Sequence, residues 1–171
     1  MPERTPSADR VGSVSIYRYA QIVAELRRTL ESGAPAQFTV GDRALEIEPM
    51  REPGHREHGE DSSTVRESLL RLAGDIGLAY SSVRSARWTA SKWPAEHRCD
   101  SVSFTVHRLL AAIGNDEERF AAVQNPPAGK ERQTPDEANR RTGRQTPRPV
   151  TSTGNPAQST PSHRTRKRPR P

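Results

Sequence analysis

The sequence has a single cysteine, Cys99, which rules out a disulfide within the chain and fits a reducing compartment. No apolar run approaches the roughly 20 residues a helix needs to cross a bilayer, so no membrane partner is expected. The first residues, Met1-Pro2-Glu3-Arg4-Thr5-Pro6, lack the apolar core of a secretion signal. The expected location is the cytoplasm. Apolar residues make up 31% and aromatic residues 5% of 171 positions, which allows one domain but not a large core. No nucleophile motif, phosphate-cradling loop or paired-carboxylate arrangement is present. Enzymatic activity, a cofactor and a small-molecule ligand are therefore not expected.

Metal chemistry is equally thin. His97-x-Cys99 with His107 supplies three soft ligands and no Cys-x2-Cys pair, unlike common structural zinc sites. No metal is expected there. His55 and His58 stand among Glu57, Glu60 and Asp61, which reads as a solvated loop.

Charge is unevenly spread. Residues 1–124 carry 16 basic and 18 acidic residues, a balance of −2, while residues 125–171 carry 11 and 3, a balance of +8, giving the net +6. The high isoelectric point thus belongs to the tail. One stretch of the first part nevertheless lacks acids altogether. Between Leu78 and Trp93 stand Arg84, Arg87 and Lys92 and no Asp or Glu.

That stretch completes a helix-turn-helix pattern over residues 65–92. Ala73 supplies the small residue where two helices cross, and Gly77 tolerates the positive φ of the turn. Leu72, Ile76, Leu78, Val83 and Ala86 occupy the apolar positions that close the two helices on each other. Outward positions carry Tyr80, Ser81, Arg84, Ser85 and Trp88, types that contact phosphates and base edges, and Ser82, Arg87 and Lys92 complete the candidate DNA contacts. Arg84 and Ser85 are the expected base readers, and Tyr80, Ser81 and Arg87 the expected backbone contacts. Ala79 cannot cap the second helix, which leaves Ser81 or Ser82 to do so from a slightly later start. Trp88 is expected chiefly in the core and Trp93, before Pro94, as a plug where the chain turns. A structural helix pair in an unrelated all-α domain has the same apolar pattern.

Around this unit the chain reads as follows. Residues 1–14 are a flexible leader. A helix spans about 16 to 32, with Tyr19, Ile22, Val23, Leu26 and Leu30 on one face and Gly33 as its stop. In residues 37–47, Phe38/Val40 and Leu45/Ile47 alternate around Gly41-Asp42, a hairpin by local rules. The same residues also suit a short helix. Residues 49–63 read as a loop, and Thr64-Val65-Arg66-Glu67 as a capping box opening the next helix. Ser103 caps a helix carrying Phe104, Val106, Leu109, Leu110 and Ile113, and Asn115–Val123 forms another. Residues 15–124 make up the helical domain, and residues 125–143 a linker. Thr134-Pro135-Asp136-Glu137 opens a short helix, 134–142, within that linker. Residues 144–171 are basic, Pro-rich and poor in apolar groups, so a disordered tail is expected.

Residues from about 70 to 143 resemble a family of actinobacterial helix-turn-helix proteins, some labelled RacO-like, broadly similar to the DNA-binding part of KorB/ParB-type plasmid proteins. The resemblance rests on Ile76-Gly77-Leu78, Arg87-Trp88, Ala90-Ser91-Lys92-Trp93-Pro94, Arg98, Val102-Ser103-Phe104-Thr105-Val106-His107, Leu110-Ala111, Arg119-Phe120 and Thr134-Pro135-Asp136-Glu137-Ala138. Gly41-Asp42 with Leu45-Glu46-Ile47-Glu48-Pro49 resembles the family's upstream segment, which implies a helix there. Gln133 stands where the family usually carries tryptophan. Membership would imply DNA binding by the helix-turn-helix.

The expectation is an all-α, small multi-helix domain with a helix-turn-helix and a disordered basic tail. Its partner would be double-stranded DNA, and its role regulation of transcription or plasmid maintenance. A homodimer is a further partner to consider, with Tyr19, Ile22, Leu26 and Leu30 available as either a pairing face or core. The rival reading is a protein-binding adaptor whose tail, with Arg164-Thr165-Arg166-Lys167-Arg168-Pro169-Arg170, tethers it to nucleic acid without sequence preference.

Overall fold

The computed structural model describes residues 9–51 and 61–143, and among these its regular structure is seven α-helices, a single 3-10 turn at Ala95–His97 and one small hairpin. The fold is all-α. The hairpin pairs β1 (Arg10–Val11) with β2 (Val14–Ser15), and the helices are α1 (Ile16–Glu31), α2 (Gln37–Ile47), α3 (Asp61–Ile76), α4 (Tyr80–Lys92), α5 (Phe104–Leu110), α6 (Asp116–Gln124) and α7 (Pro135–Arg141). The tail from 144, the first eight residues, and His55 and His58 lie outside the described residues.

The hairpin corrects the expected leader. Val11 and Val14 are buried in the core, and Ser13 donates through its backbone N–H and its hydroxyl to the carbonyl of Ile47 at 2.8 Å each. Carbonyls in the last turn of a helix have no partner within it, so the hairpin tip closes the end of α2. Two-residue strands carry no periodicity, and the pattern could not reveal them.

Ser15 caps α1, accepting from the Arg18 N–H at 3.2 Å. Tyr19, Ile22 and Leu26 face inward along it and are buried. The stripe considered as a pairing face is core. Residues 37–47 are helical, not a hairpin. Val40, Gly41, Ala44 and Ile47 form the inner face of α2, which crosses α4 closely. A Cβ on Gly41 would lie 2.4 Å from the Ala86 carbonyl oxygen and 2.7 Å from the Ala90 Cβ. Glycine inside a helix costs about 1 kcal/mol against alanine, and the close crossing is what that cost permits. Arg18 and Arg43 both ion-pair with Glu46, and Arg43 also reaches Glu25, which fastens α1 to α2. These cations hold the Glu46 carboxyl below its usual range, the Arg18 hydrogen bond most of all.

Two further boundaries differ from expectation. Helix α3 starts at Asp61, so Thr64 and Glu67 lie inside it and do not form a capping box at its start. Ser63 instead bonds the Glu67 carboxylate one turn on. Helix α7 is not an outlying element of a linker. Ala138 is fully buried, and Arg141 donates to the carbonyls of Ala122 and Asn125 at the end of α6. The folded domain therefore continues to about residue 143.

There are two cores. The first, under α1–α4, is almost wholly aliphatic: Ile22, Leu26, Val40, Ile47, Leu69, Leu72, Ile76 and Val83, with Tyr19 as its one buried ring. The second gathers Trp93, Val102, Val106, Leu110, Val123 and Ala138, with Phe38, Trp88 and Phe120 against it. It also buries His107, Arg119 and Gln133.

Candidate nucleic-acid interface

Helices α3 and α4 are joined by a three-residue turn at the place where a helix-turn-helix was expected. Gly77 has φ +71°. Its N–H bonds the Gly74 carbonyl at 3.3 Å, and the Leu78 N–H bonds that of Ala73 at 2.9 Å. This pair of bonds is a Schellman motif, which ends α3 and turns the chain into the next helix. Ala73, Ile76, Val83 and Ala86 are buried where the helices meet, with Leu78 half-buried beside them. Helix α4 begins at Tyr80 with Ala79 in the cap position and no side-chain cap bond, so neither Ser81 nor Ser82 caps it.

The inner face of α4 is Val83, Ala86, Thr89 and Ala90, all buried. On the outer face Ser81, Arg84, Ser85, Arg87 and Trp88 line an open hollow of about 500 Å3, together with Met50. Arg84 is exposed, and among the described residues it makes no hydrogen bond or ion pair. Arg108 and Arg132 are likewise exposed with no such partner, so what sets Arg84 apart is its place on the acid-free outer face of α4. Arg18, Arg43, Arg71, Arg98, Arg119 and Arg140 are ion-paired with carboxylates. Lys92, eight residues beyond Arg84, lies about 12 Å further along the same helix.

The other expected site residues are placed differently. Tyr80 is half-buried, with the Arg66 guanidinium 5.7 Å from its ring centre, so it joins α3 to the start of α4. Ser82 lines a separate hollow with Leu30, Ala36, Val40, Leu78 and Ala86. Arg87 is not a free phosphate ligand. Its Nε donates to the Glu48 carbonyl at 2.6 Å and one terminal nitrogen to that of Pro49 at 2.9 Å. Burial lowers its pKa, and the nearby Glu48 charge partly offsets that shift. The guanidinium fastens the segment leaving α2 against α4 and so holds Met50, 46% exposed, beside Arg84. Trp88 divides its surface between the second core and the hollow.

Met50 is the residue that sequence reasoning missed. Nothing local marks it, because only the crossing of α2 over α4 brings it there.

The far end of α4 is fixed by the second core. Arg119, 2% exposed, donates to the carbonyls of Lys92 and Ile113 and pairs with Asp116. The Trp93 indole donates to the His107 carbonyl at 2.8 Å. His107 uses both ring nitrogens, one at 3.0 Å from the Ser103 carbonyl and the other accepting from the Cys99 N–H at 3.2 Å. Burial pushes its pKa below the usual histidine value. His97 stacks on Phe120 with ring centres 3.9 Å apart. Among the described residues no three His, Cys, Asp or Glu side chains are grouped to hold a metal ion, and no helix is long and apolar enough to cross a membrane.

The model of a family of unknown function (DUF6192) matches residues 93–156, little more than a third of the chain. The match begins one residue after α4 ends, so it takes in most of the second core and leaves α3 and α4 outside. No curated protein and no solved structure matches the chain.

Proposed function

We propose that this chain is a cytoplasmic, non-enzymatic, sequence-specific DNA-binding protein that regulates transcription or plasmid maintenance. The observation that carries this reading is Arg84, uncommitted on the acid-free, serine-lined outer face of the second helix of a helix-turn-helix. A planar fork of donors suits guanine O6 and N7 in the major groove. Ser81, Ser85 and Lys92 supply donors to phosphates or base edges along the same helix. The resemblance over residues 70–143 points the same way. A single helix-turn-helix reads only a few base pairs, so the proposal includes a homodimer on two half-sites about one turn apart. The α1 stripe is spent in the core and is not its contact.

The adaptor reading draws on one observation, the −2 balance of residues 1–124. Those acids lie off α4, among them Glu25, Glu46, Asp42 and Asp116, each paired with an arginine already counted in that balance. Charges elsewhere are screened beyond a Debye length of about 8 Å.

Deleting residues 144–171 and measuring binding to duplex DNA across salt concentrations separates the two. The DNA-reading chain loses non-specific affinity and becomes less salt-dependent, yet keeps its preferred site. A tethered adaptor loses DNA binding outright and has no preference to keep. In the same assay Arg87→Ala leaves the salt slope unchanged, whereas a phosphate ligand would lower it by about one unit.

A further inference from the structure

Arg84 does not stand alone in its hollow. Met50 and Trp88 give the same hollow an apolar wall, set beside a guanidinium and two hydroxyls, Ser81 and Ser85. Met50 is one of three large apolar side chains exposed among the described residues, with Tyr17 and Leu70. Unlike an incidental surface methionine, it is held in place, because the Arg87 fork fixes the carbonyls of Glu48 and Pro49 just before it. Its other lining residues, Trp88 included, come from α4, which carries no acid.

In the major groove each base pair presents a distinct edge, and thymine alone among the standard bases presents a methyl group. A methyl beside a guanine would meet the thioether and the indole edge while the guanine edge meets Arg84. An apolar wall and a cationic donor in one hollow thus match a two-base feature.

We infer that the Met50–Trp88 wall reads the 5-methyl group of a thymine next to the guanine contacted by Arg84. This inference rests on the DNA-binding reading and adds a second element of specificity to it. Met50 comes from outside the helix-turn-helix, so part of the specificity is delivered by the α2–α4 crossing. Arg87 acts through Met50 as a positioning residue.

The test uses the full chain and its selected duplex, with each thymine replaced in turn by uracil, which lacks only the methyl. At one thymine adjacent to a guanine the expected loss of affinity is about three- to five-fold, the scale of one methyl group leaving water. Met50→Ser should bind the thymine and uracil duplexes equally while keeping its preference for the guanine. Circular dichroism should show the variant folded, because Met50 lies at the surface. Equal binding of every uracil duplex by the parent chain overturns the inference, as does a selected site with no fixed thymine beside its guanine. Either outcome leaves the Arg84 reading standing if Arg84→Ala still relaxes the guanine preference. The absence of any selected site removes both.

Discussion

The two cores differ in kind. The first is built from aliphatic side chains, with Arg18, Arg43, Glu25 and Glu46 paired at its rim and Glu48 buried at the end of α2. The second packs rings against one another and admits an imidazole, a guanidinium and an amide to its interior. Trp93 meets His107 edge to face, with ring centres 4.8 Å apart, and Arg119 sits over both Trp93 and Phe120. Aliphatic packing is tolerant of rearrangement, whereas a buried polar group must find its particular partners or lose free energy. The first core brings α4 up against α2. The second, through the Arg119 bond to the Lys92 carbonyl, fixes where α4 ends. The outer face of α4 is thus oriented from two sides by different physics.

Truncation should hurt most in the second core and insertion in the first. Trp93→Ala is expected to cost about 3–5 kcal/mol in chemical denaturation, since it removes a fully buried indole and leaves a cavity. Gly41→Ala should cost less, about 2–3 kcal/mol. The added methyl meets backbone at 2.4 Å, so α2 and α4 must separate. If Gly41→Ala is neutral or stabilising, the close crossing does not govern the first core.

The cores should also part in their response to pH. His107 is neutral when folded, with burial lowering its pKa, and ordinary when unfolded at about 6.5. Above that value neither state is protonated and its contribution is complete. As pH falls below about 6.5 the unfolded chain binds a proton that the folded chain resists, so stability declines toward the folded pKa. Thermal unfolding at pH 7.5 and 5 should show this decline in the parent chain and a smaller one in His107→Gln. An identical decline in both would assign the acid sensitivity to other groups.

The smallest effect concerns Gln133, 3% exposed with neither amide atom hydrogen-bonded among the described residues. Replacing an unpaired buried amide by an apolar group of similar size relieves its desolvation. Gln133→Leu should raise stability by about 1 kcal/mol in the same denaturation assay. A loss would mean that the amide has a partner, such as a buried water.

These contrasts also mark what the sequence could and could not convey. Leu72, Ala73, Ile76, Val83 and Ala86 were legible because helical spacing and a turn glycine are local properties. So were the caps at Ser103 and Thr134, each of which accepts the expected backbone N–H. Gly41-Asp42 imitated a hairpin turn, because the glycine answers to α4 across the fold and not to its neighbours in sequence. Arg87 looked like Arg84 on the helix, and only the path of the chain after Ile47 distinguishes them. For the same reason Met50 was invisible, as was the docking of α7 on the end of α6.

The central claim is that the outer face of α4 reads DNA through Arg84. Selection of bound duplexes from a random pool, run in parallel with the full chain and with Arg84→Ala, tests it most directly. The account predicts a discrete consensus containing a guanine, with Arg84→Ala losing about 1–3 kcal/mol on that site and relaxing the choice at that base. Enrichment of no consensus, or recovery of the same consensus with equal affinity by Arg84→Ala, would contradict it.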